Sequence, residues 1–146
     1  MKSYLVMPAV IASITIALAF SSQQEDPWKV PKNYETLKNP VTADKASINS
    51  GKEIYGSYCR TCHGTDGKGE GKRSVNLDKA PGDFALPAFQ QQTDGALLYK
   101  IYFGHREMPG FIKKIPDAEA VSHGNFGKTR NPGDLVNYIR TFAKKQ

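Results

Sequence analysis

The chain has 146 residues, two cysteines and a formal net charge of +6 at pH 7. This length fits one domain with extensions, and no repeat of fixed period is present. A single cysteine pair is too few for the usual four-ligand structural zinc site, and no serine elbow or paired-carboxylate motif of a hydrolase is recognisable.

The N-terminus has the pattern of a secretory signal peptide. Lys2 precedes an uncharged apolar stretch over residues 5–20, and Ala17-Leu18-Ala19 fits a small-residue cleavage site. We therefore predict a signal peptide over 1–19 and an exported protein, periplasmic or otherwise extracytoplasmic, that is soluble rather than membrane-anchored. The alternative is an uncleaved anchor, although the stretch is short for a span of about 20 residues and contains Pro8.

A polar extension follows over residues 20–45. Its prolines, Pro27, Pro31 and Pro40, exclude a long helix. Trp28 is compatible with packing onto the domain, with peripheral contact to a membrane, or with exposure to solvent. We interpret this segment as a plain tether that leads into a domain over 46–146.

The first helical pattern begins near Ser47 and leads into the cysteine pair. Apolar and small residues recur at three- and four-residue steps, which predicts an amphipathic helix: Ile48, Gly51, Tyr55, Tyr58, Cys59 and Cys62.

The run Cys59-Arg60-Thr61-Cys62-His63 indicates a covalent c-type haem attachment site. Cysteines three residues apart share one face of a helical turn, so both thiols can reach the vinyl-bearing edges of one porphyrin. His63 then supplies a neutral ring nitrogen as the proximal ligand of the iron. The single motif predicts one haem c per chain.

Two other uses of a cysteine pair compete with this interpretation. A redox-active disulfide of a thiol oxidoreductase is expected between a strand and a helix, whereas this pair follows a helical pattern and precedes a glycine-rich loop over 64–71. Structural zinc takes four ligands, and no second cysteine pair exists to complete them.

Two more helices are predicted further along the chain. The first follows a cap at Thr93-Asp94 and stops at Gly104, with an apolar side formed by Leu97, Leu98, Ile101 and Tyr102. The second begins at Asn131-Pro132, with a stripe of Leu135, Tyr138, Ile139 and Phe142 before Lys144 and Lys145.

Long loops with little strand signal separate these helices, notably 64–71 and 80–87. The fold is therefore predicted to be all-α, with three or more helices wrapped around one covalently bound haem. Three modest helices make a thin core, and an enclosed porphyrin would add much of the apolar burial. We expect the haem-free chain to be largely unfolded.

From about Ser47 to Phe142 the chain resembles a class I, single-haem cytochrome c. Gly51 and Tyr55 precede Cys59 at four-residue steps, as the small and aromatic residues do in the first helix of that family. The aliphatic and aromatic pair of its last helix corresponds to Leu135 and Tyr138. The resemblance implies that the two helices cross closely at the glycine, which would explain a residue that costs about 1 kcal/mol in mid-helix.

The resemblance also indicates the sixth ligand of the iron. Met108, in a Met-Pro-Gly loop, is similar to the distal methionine of the family, and a signal peptide would remove Met1 and Met7. Methionine and histidine together are a known axial pair. His105 is the main competitor and His123 a distant one, and we interpret both as solvated surface histidines.

The chain departs from the family pattern at two places. Where many members have a proline whose carbonyl accepts from the proximal imidazole, this chain has Val75-Asn76-Leu77, so the acceptor is the Val75 carbonyl or a group near Pro81. The segment 117–131 is longer than in many members. Such a loop either shapes a partner surface or is a tolerated insertion.

We expect an electron-transfer protein rather than an enzyme, exchanging single electrons between respiratory redox partners. The basic charge, +5 once Lys2 is removed, favours partners with acidic docking surfaces and not nucleic acid. The candidate docking residues are Lys68, Lys72, Arg73, Lys113 and Lys114. The alternative function is a haem enzyme or gas-binding sensor with an open sixth position, and a haem-free thiol oxidoreductase is a third possibility.

Overall fold

The computed structural model describes residues 28–115 and 130–143. Its helices are α1 (Lys32–Glu35), α2 (Lys45–Tyr58), α3 (Arg60–His63), α4 (Pro87–Gln90), α5 (Asp94–Phe103) and α6 (Arg130–Arg140). A short 3-10 turn covers Ser74–Asn76. These described ranges contain no β-strand, only an isolated bridge between His105 and Met108. The prediction of an all-α fold is confirmed.

Helix α2 forms where the apolar pattern predicted it. The Asp44 side chain caps its N-terminus by accepting a hydrogen bond from Ser47 N at 2.8 Å. Gly51 and Tyr55 lie on the buried face. A Cβ at Gly51 would collide with the Asp134 carbonyl of α6, so the two helices cross in close contact at this glycine. This is the crossing that the sequence led us to expect.

Helix α5 also has the predicted ends. The Thr93 hydroxyl accepts from Ala96 N at 3.1 Å, and the helix stops at Gly104, where φ is +63°. The predicted apolar side is fully inside the core, with Leu98 and Tyr102 at 0% exposure.

Helix α6 differs from the prediction at both ends. It begins at Arg130, so Asn131 lies within the helix, and it ends at Arg140, before Phe142. Offsets of one or two residues are common at frayed helix ends. Phe142 still packs inward, with its ring 5.3 Å from Tyr55 and 5.2 Å from Tyr138. Lys144 and Lys145 lie outside the described residues.

The interpretation of the N-terminal extension as a plain tether is wrong for residues 28–44, which we call the arm. Tyr34 is buried, and its ring lies 5.0 Å from Tyr99 and 5.9 Å from Phe103 of α5. Gly95 N donates to Leu37 O at 3.2 Å. The arm is therefore packed directly on α5.

The arm also binds α6 through a partly buried amide network. Asn39 Nδ2 donates to Gly133 O and to Asn137 Oδ1, both at 2.8 Å. Asn137 Nδ2 donates to Val41 O at 3.1 Å and to Ser47 Oγ at 2.9 Å. No periodic pattern could predict this packing, because Asn39 and Val41 lie in an irregular segment of the arm.

Three predictions fall on residues that the structure leaves undescribed. The signal peptide over 1–19, the start of the extension over 20–27 and most of the long loop over 117–131 lie outside the described ranges. Within residues 28–115 and 130–143, no helix is long and apolar enough to cross a membrane.

Candidate cofactor site

The cysteine motif forms one continuous helical turn. Cys59 ends α2 in a helical conformation, and α3 resumes at the next residue. Cys62 N and His63 N both donate to Cys59 O, at 3.2 and 2.9 Å. Both cysteines are half-buried free thiols. The two sulfurs therefore stand one turn apart with His63 directly after them, the arrangement that two-point attachment of a planar group requires.

The surroundings of Cys59 do not suit thiol redox catalysis. Burial, and secondarily the neighbouring Cys62, raises the pKa of the Cys59 thiol to about 12. A reactive cysteine needs a lowered pKa, because the thiolate is the nucleophile. This site therefore disfavours the thiol oxidoreductase that the sequence left as a third possibility.

His63 is held as a neutral imidazole. Its ring stacks on Phe84, with centroids 4.6 Å apart, and burial lowers the pKa of His63 to about 4. Neutral imidazole is the form that ligates metal ions. Its buried Nδ1 has no hydrogen-bond partner among the described residues. Neither of the acceptors suggested by the sequence, the Val75 carbonyl and the region near Pro81, bonds to it here.

The loop after the motif is tied back onto it by main-chain hydrogen bonds. Gly69 N donates to His63 O at 2.9 Å, Gly71 N to Cys62 O at 3.0 Å, and Arg73 N to Thr61 O at 2.9 Å. Gly69 has φ +84°, and a Cβ there would collide with the Pro81 carbonyl, so glycine is required. These bonds fix the orientation of the turn that carries the two thiols and His63.

Met108 is the last residue of a four-residue turn over 105–108, which follows the end of α5. His105 N donates to Met108 O at 2.9 Å, and Met108 N donates to His105 O at 3.0 Å. The Met108 side chain is half-buried and packs against the hydrophobic cluster that contains Tyr55 and Phe84. Since Phe84 is also the ring that stacks on His63, one cluster contacts both predicted axial ligands.

The interpretation of His105 as a solvated surface residue is wrong. Its ring lies 5.3 Å from that of Trp28, and its Nε2 is buried without a hydrogen-bond partner in the described part of the chain. His123, the other competitor, lies outside the described residues.

Sequence reasoning placed Tyr102 in the core and missed its polar end. The phenol oxygen is buried and has no hydrogen-bond partner among residues 28–115 and 130–143, and burial raises the pKa of Tyr102. Nothing in an apolar helical stripe distinguishes such a tyrosine from an ordinary core residue. His63 Nδ1 and His105 Nε2 are likewise buried without a hydrogen-bond partner in the described part of the chain. Unpartnered buried polar atoms are few in native proteins, and those on His63 and His105 belong to the proximal ligand and to the turn that carries Met108.

A helical fold that presents a Cys-x-x-Cys-His turn, with its histidine half-buried and neutral, is typical of c-type cytochromes. Residues 46–123, more than half of the chain, match the family model described as cytochrome C oxidase, cbb3-type, subunit III. The chain belongs to this family of c-type cytochromes, and membership implies covalently bound haem c with its iron.

Individual relatives resemble the chain over shorter stretches. A segment of 51 residues, 35% of the chain, is 35% identical to the quinohemoprotein alcohol dehydrogenase ADH IIB of Pseudomonas putida. That segment covers only 7% of the dehydrogenase.

Two solved structures are similar to the chain. The Kuenenia stuttgartiensis reducing HAO-like protein complex Kustc0457/Kustc0458 matches with a TM-score of 0.57 and 22% identity, over 72% of this chain and 47% of that one. This likeness concerns the fold alone. The KustC0563 c-type cytochrome matches with a TM-score of 0.49 and 27% identity, over 64% of this chain and 98% of that one.

Proposed function

We propose that the protein is an exported carrier of single electrons that binds one haem c, with Cys59 and Cys62 as attachment points and His63 and Met108 as axial ligands. Bound haem supplies an iron that alternates between the ferric and ferrous states. The observation that carries the proposal is the helical turn that places two thiols and the half-buried, neutral His63 imidazole side by side.

The attachment turn is suited to hold a cofactor in one orientation. His63 stays neutral because burial lowers its pKa to about 4, so protons do not compete for its ring nitrogen near neutral pH. Phe84 supports one face of the imidazole. The three main-chain bonds from Gly69, Gly71 and Arg73 leave the turn little freedom to move.

Met108 is our choice for the sixth ligand because its loop and surroundings suit a thioether. The turn that carries it is closed by two main-chain hydrogen bonds, and its side chain already packs against the apolar cluster. Methionine ligation and a dry apolar pocket both raise the reduction potential of a haem iron. With both axial positions filled, no open site is left for a substrate, which favours a carrier over an enzyme.

The partners that we propose are redox proteins with acidic docking surfaces. Lys72, Arg73, Lys113 and Lys114 are exposed, and the overall charge is basic. Lys68 is the weakest of the predicted docking residues, because its Nζ already pairs with Asp66 Oδ2 at 3.2 Å. Val75, next to Lys72 and Arg73 in sequence, has 83% of its surface exposed and offers an apolar contact within this basic region.

The ferric spectrum and carbon monoxide binding test the carrier proposal. We expect the weak long-wavelength ferric band of methionine sulfur on iron, and no ready binding of carbon monoxide by the ferrous protein. Met108→Ala should abolish the band and open the site. Ile112→Ala is the matched control, since Ile112 packs against the same cluster without a sulfur atom and should keep the band. A high-spin wild-type protein that binds carbon monoxide at once would contradict the carrier and favour the open-site enzyme or sensor.

A further inference from the structure

The arm reaches the loop that carries Met108. The Trp28 ring lies 5.3 Å from the His105 ring, with 30° between their planes. This distance and tilt lie within the range of stabilising aromatic contacts. His105 Nε2 is buried without a hydrogen-bond partner in the described ranges, so no polar contact at that atom holds the ring, and the contact with Trp28 is an apolar one.

The contact with His105 is transmitted to Met108 through the main chain. The two residues exchange both of their backbone hydrogen bonds, at 2.9 and 3.0 Å. Between them Arg106 has φ +51°, a left-handed conformation that a non-glycine residue keeps only when its surroundings enforce it. The position of the His105 backbone therefore constrains that of Met108.

Trp28 is itself held in place. Lys100 Nζ of α5 lies 5.3 Å from the centroid of its ring, a cation–π distance. Further along the arm, the buried Tyr34 ring and the Asn39 amide fix the chain to α5 and α6. The arm thus connects α5 and α6 to His105 in the turn that carries Met108.

We propose that Trp28 and His105 are positioning residues, which hold the 105–108 turn so that the Met108 thioether stays on the iron. This inference rests on the His/Met ligation of the proposed function. It gives the arm a role in the sixth-ligand position, and it assigns His105 to supporting the methionine rather than replacing it.

Imidazole competition on the full-length ferric holoprotein tests this role. Added imidazole displaces Met108, and the loss of the methionine band reports the displacement. Trp28→Ala should raise the apparent affinity for imidazole about three- to tenfold, the equilibrium effect of losing one aromatic contact. Trp28→Phe should restore most of the wild-type value. Lys29→Ala is the matched control, because Lys29 is the exposed neighbour of Trp28 on the arm, and it should leave the affinity unchanged.

A double-variant cycle separates positioning from general loosening of the fold. His105→Ala should act in the same direction as Trp28→Ala, and the double variant should show no more than the larger single effect, since both remove one contact. If Trp28→Ala is not recovered as holoprotein, Trp28→Leu enters the same cycle. An unchanged imidazole affinity in the Trp28 variants of a protein that shows the methionine band, or strictly additive effects in the cycle, would overturn the positioning role alone. A wild-type protein without the band would overturn the His/Met ligation and this role together.

Discussion

At Gly51 the crossing of α2 and α6 leaves no room for a side chain. Gly51→Ala would drive a Cβ into the Asp134 carbonyl and against Tyr138 Cβ, so we expect overpacking to cost roughly 1–3 kcal/mol of holoprotein stability. Denaturant unfolding of the holoprotein measures this cost.

Gly56→Ala is the matched control on the same helix. A Cβ at Gly56 meets nothing within 4 Å, so alanine should be neutral or stabilise the helix by up to about 1 kcal/mol. Equal effects of the two substitutions would contradict the close crossing.

At the level of elements, Asn39 joins the arm to α6. Asn39→Ala removes the donor for Gly133 O and Asn137 Oδ1, so we expect a loss of about 1–3 kcal/mol from partly buried acceptors left unpaired. Chemical denaturation compares this variant with Asn33→Ala, whose side chain is exposed on α1. If the two variants are equally stable, the arm does not contribute to the stability of the domain.

Arg140 links the end of α6 to the α4–α5 connection. Its guanidinium donates to Asp94 Oδ1 at 2.7 Å, to Gln90 O at 2.7 Å and to Gln92 O at 2.6 Å. Arg140→Lys keeps the charge but loses the planar fork, and we expect it to destabilise the protein by at least about 1.5 kcal/mol. The unfolding midpoint of Arg73→Lys, an exposed site, gives the reference. A midpoint for Arg140→Lys that equals this reference would show that the guanidinium hydrogen bonds of Arg140 do not contribute to stability.

The elements that the sequence predicted best are those whose signal is local. Helices α2 and α5 have both apolar periodicity and a capping side chain, Asp44 or Thr93, and both form as expected. The start of α6 was misplaced because the Asn131-Pro132 pair is a statistical cap signal that neighbouring residues can override.

The packing of the arm could not be predicted, since Asn39 and Asn137 are 98 residues apart. His105 was misjudged for the same reason, as its partner Trp28 comes from that arm.

For the whole molecule, we expect folding to depend on haem. The core has three helices of ten to fourteen residues, and buried polar atoms on His63, Tyr102 and His105 lack partners in the described ranges. A haem-free Cys59→Ala/Cys62→Ala/His63→Ala protein should therefore be largely unfolded, and a cooperative thermal melt by circular dichroism would contradict this.

The intact mass of the exported protein after acid denaturation reports whether one haem is covalently attached through Cys59 and Cys62. We expect the mass of the chain plus one haem, which acidified organic solvent does not extract, and loss of that added mass in Cys59→Ala/Cys62→Ala. A denatured chain with the mass of the polypeptide alone, when the protein has been matured in a host that attaches haem c, would contradict this attachment.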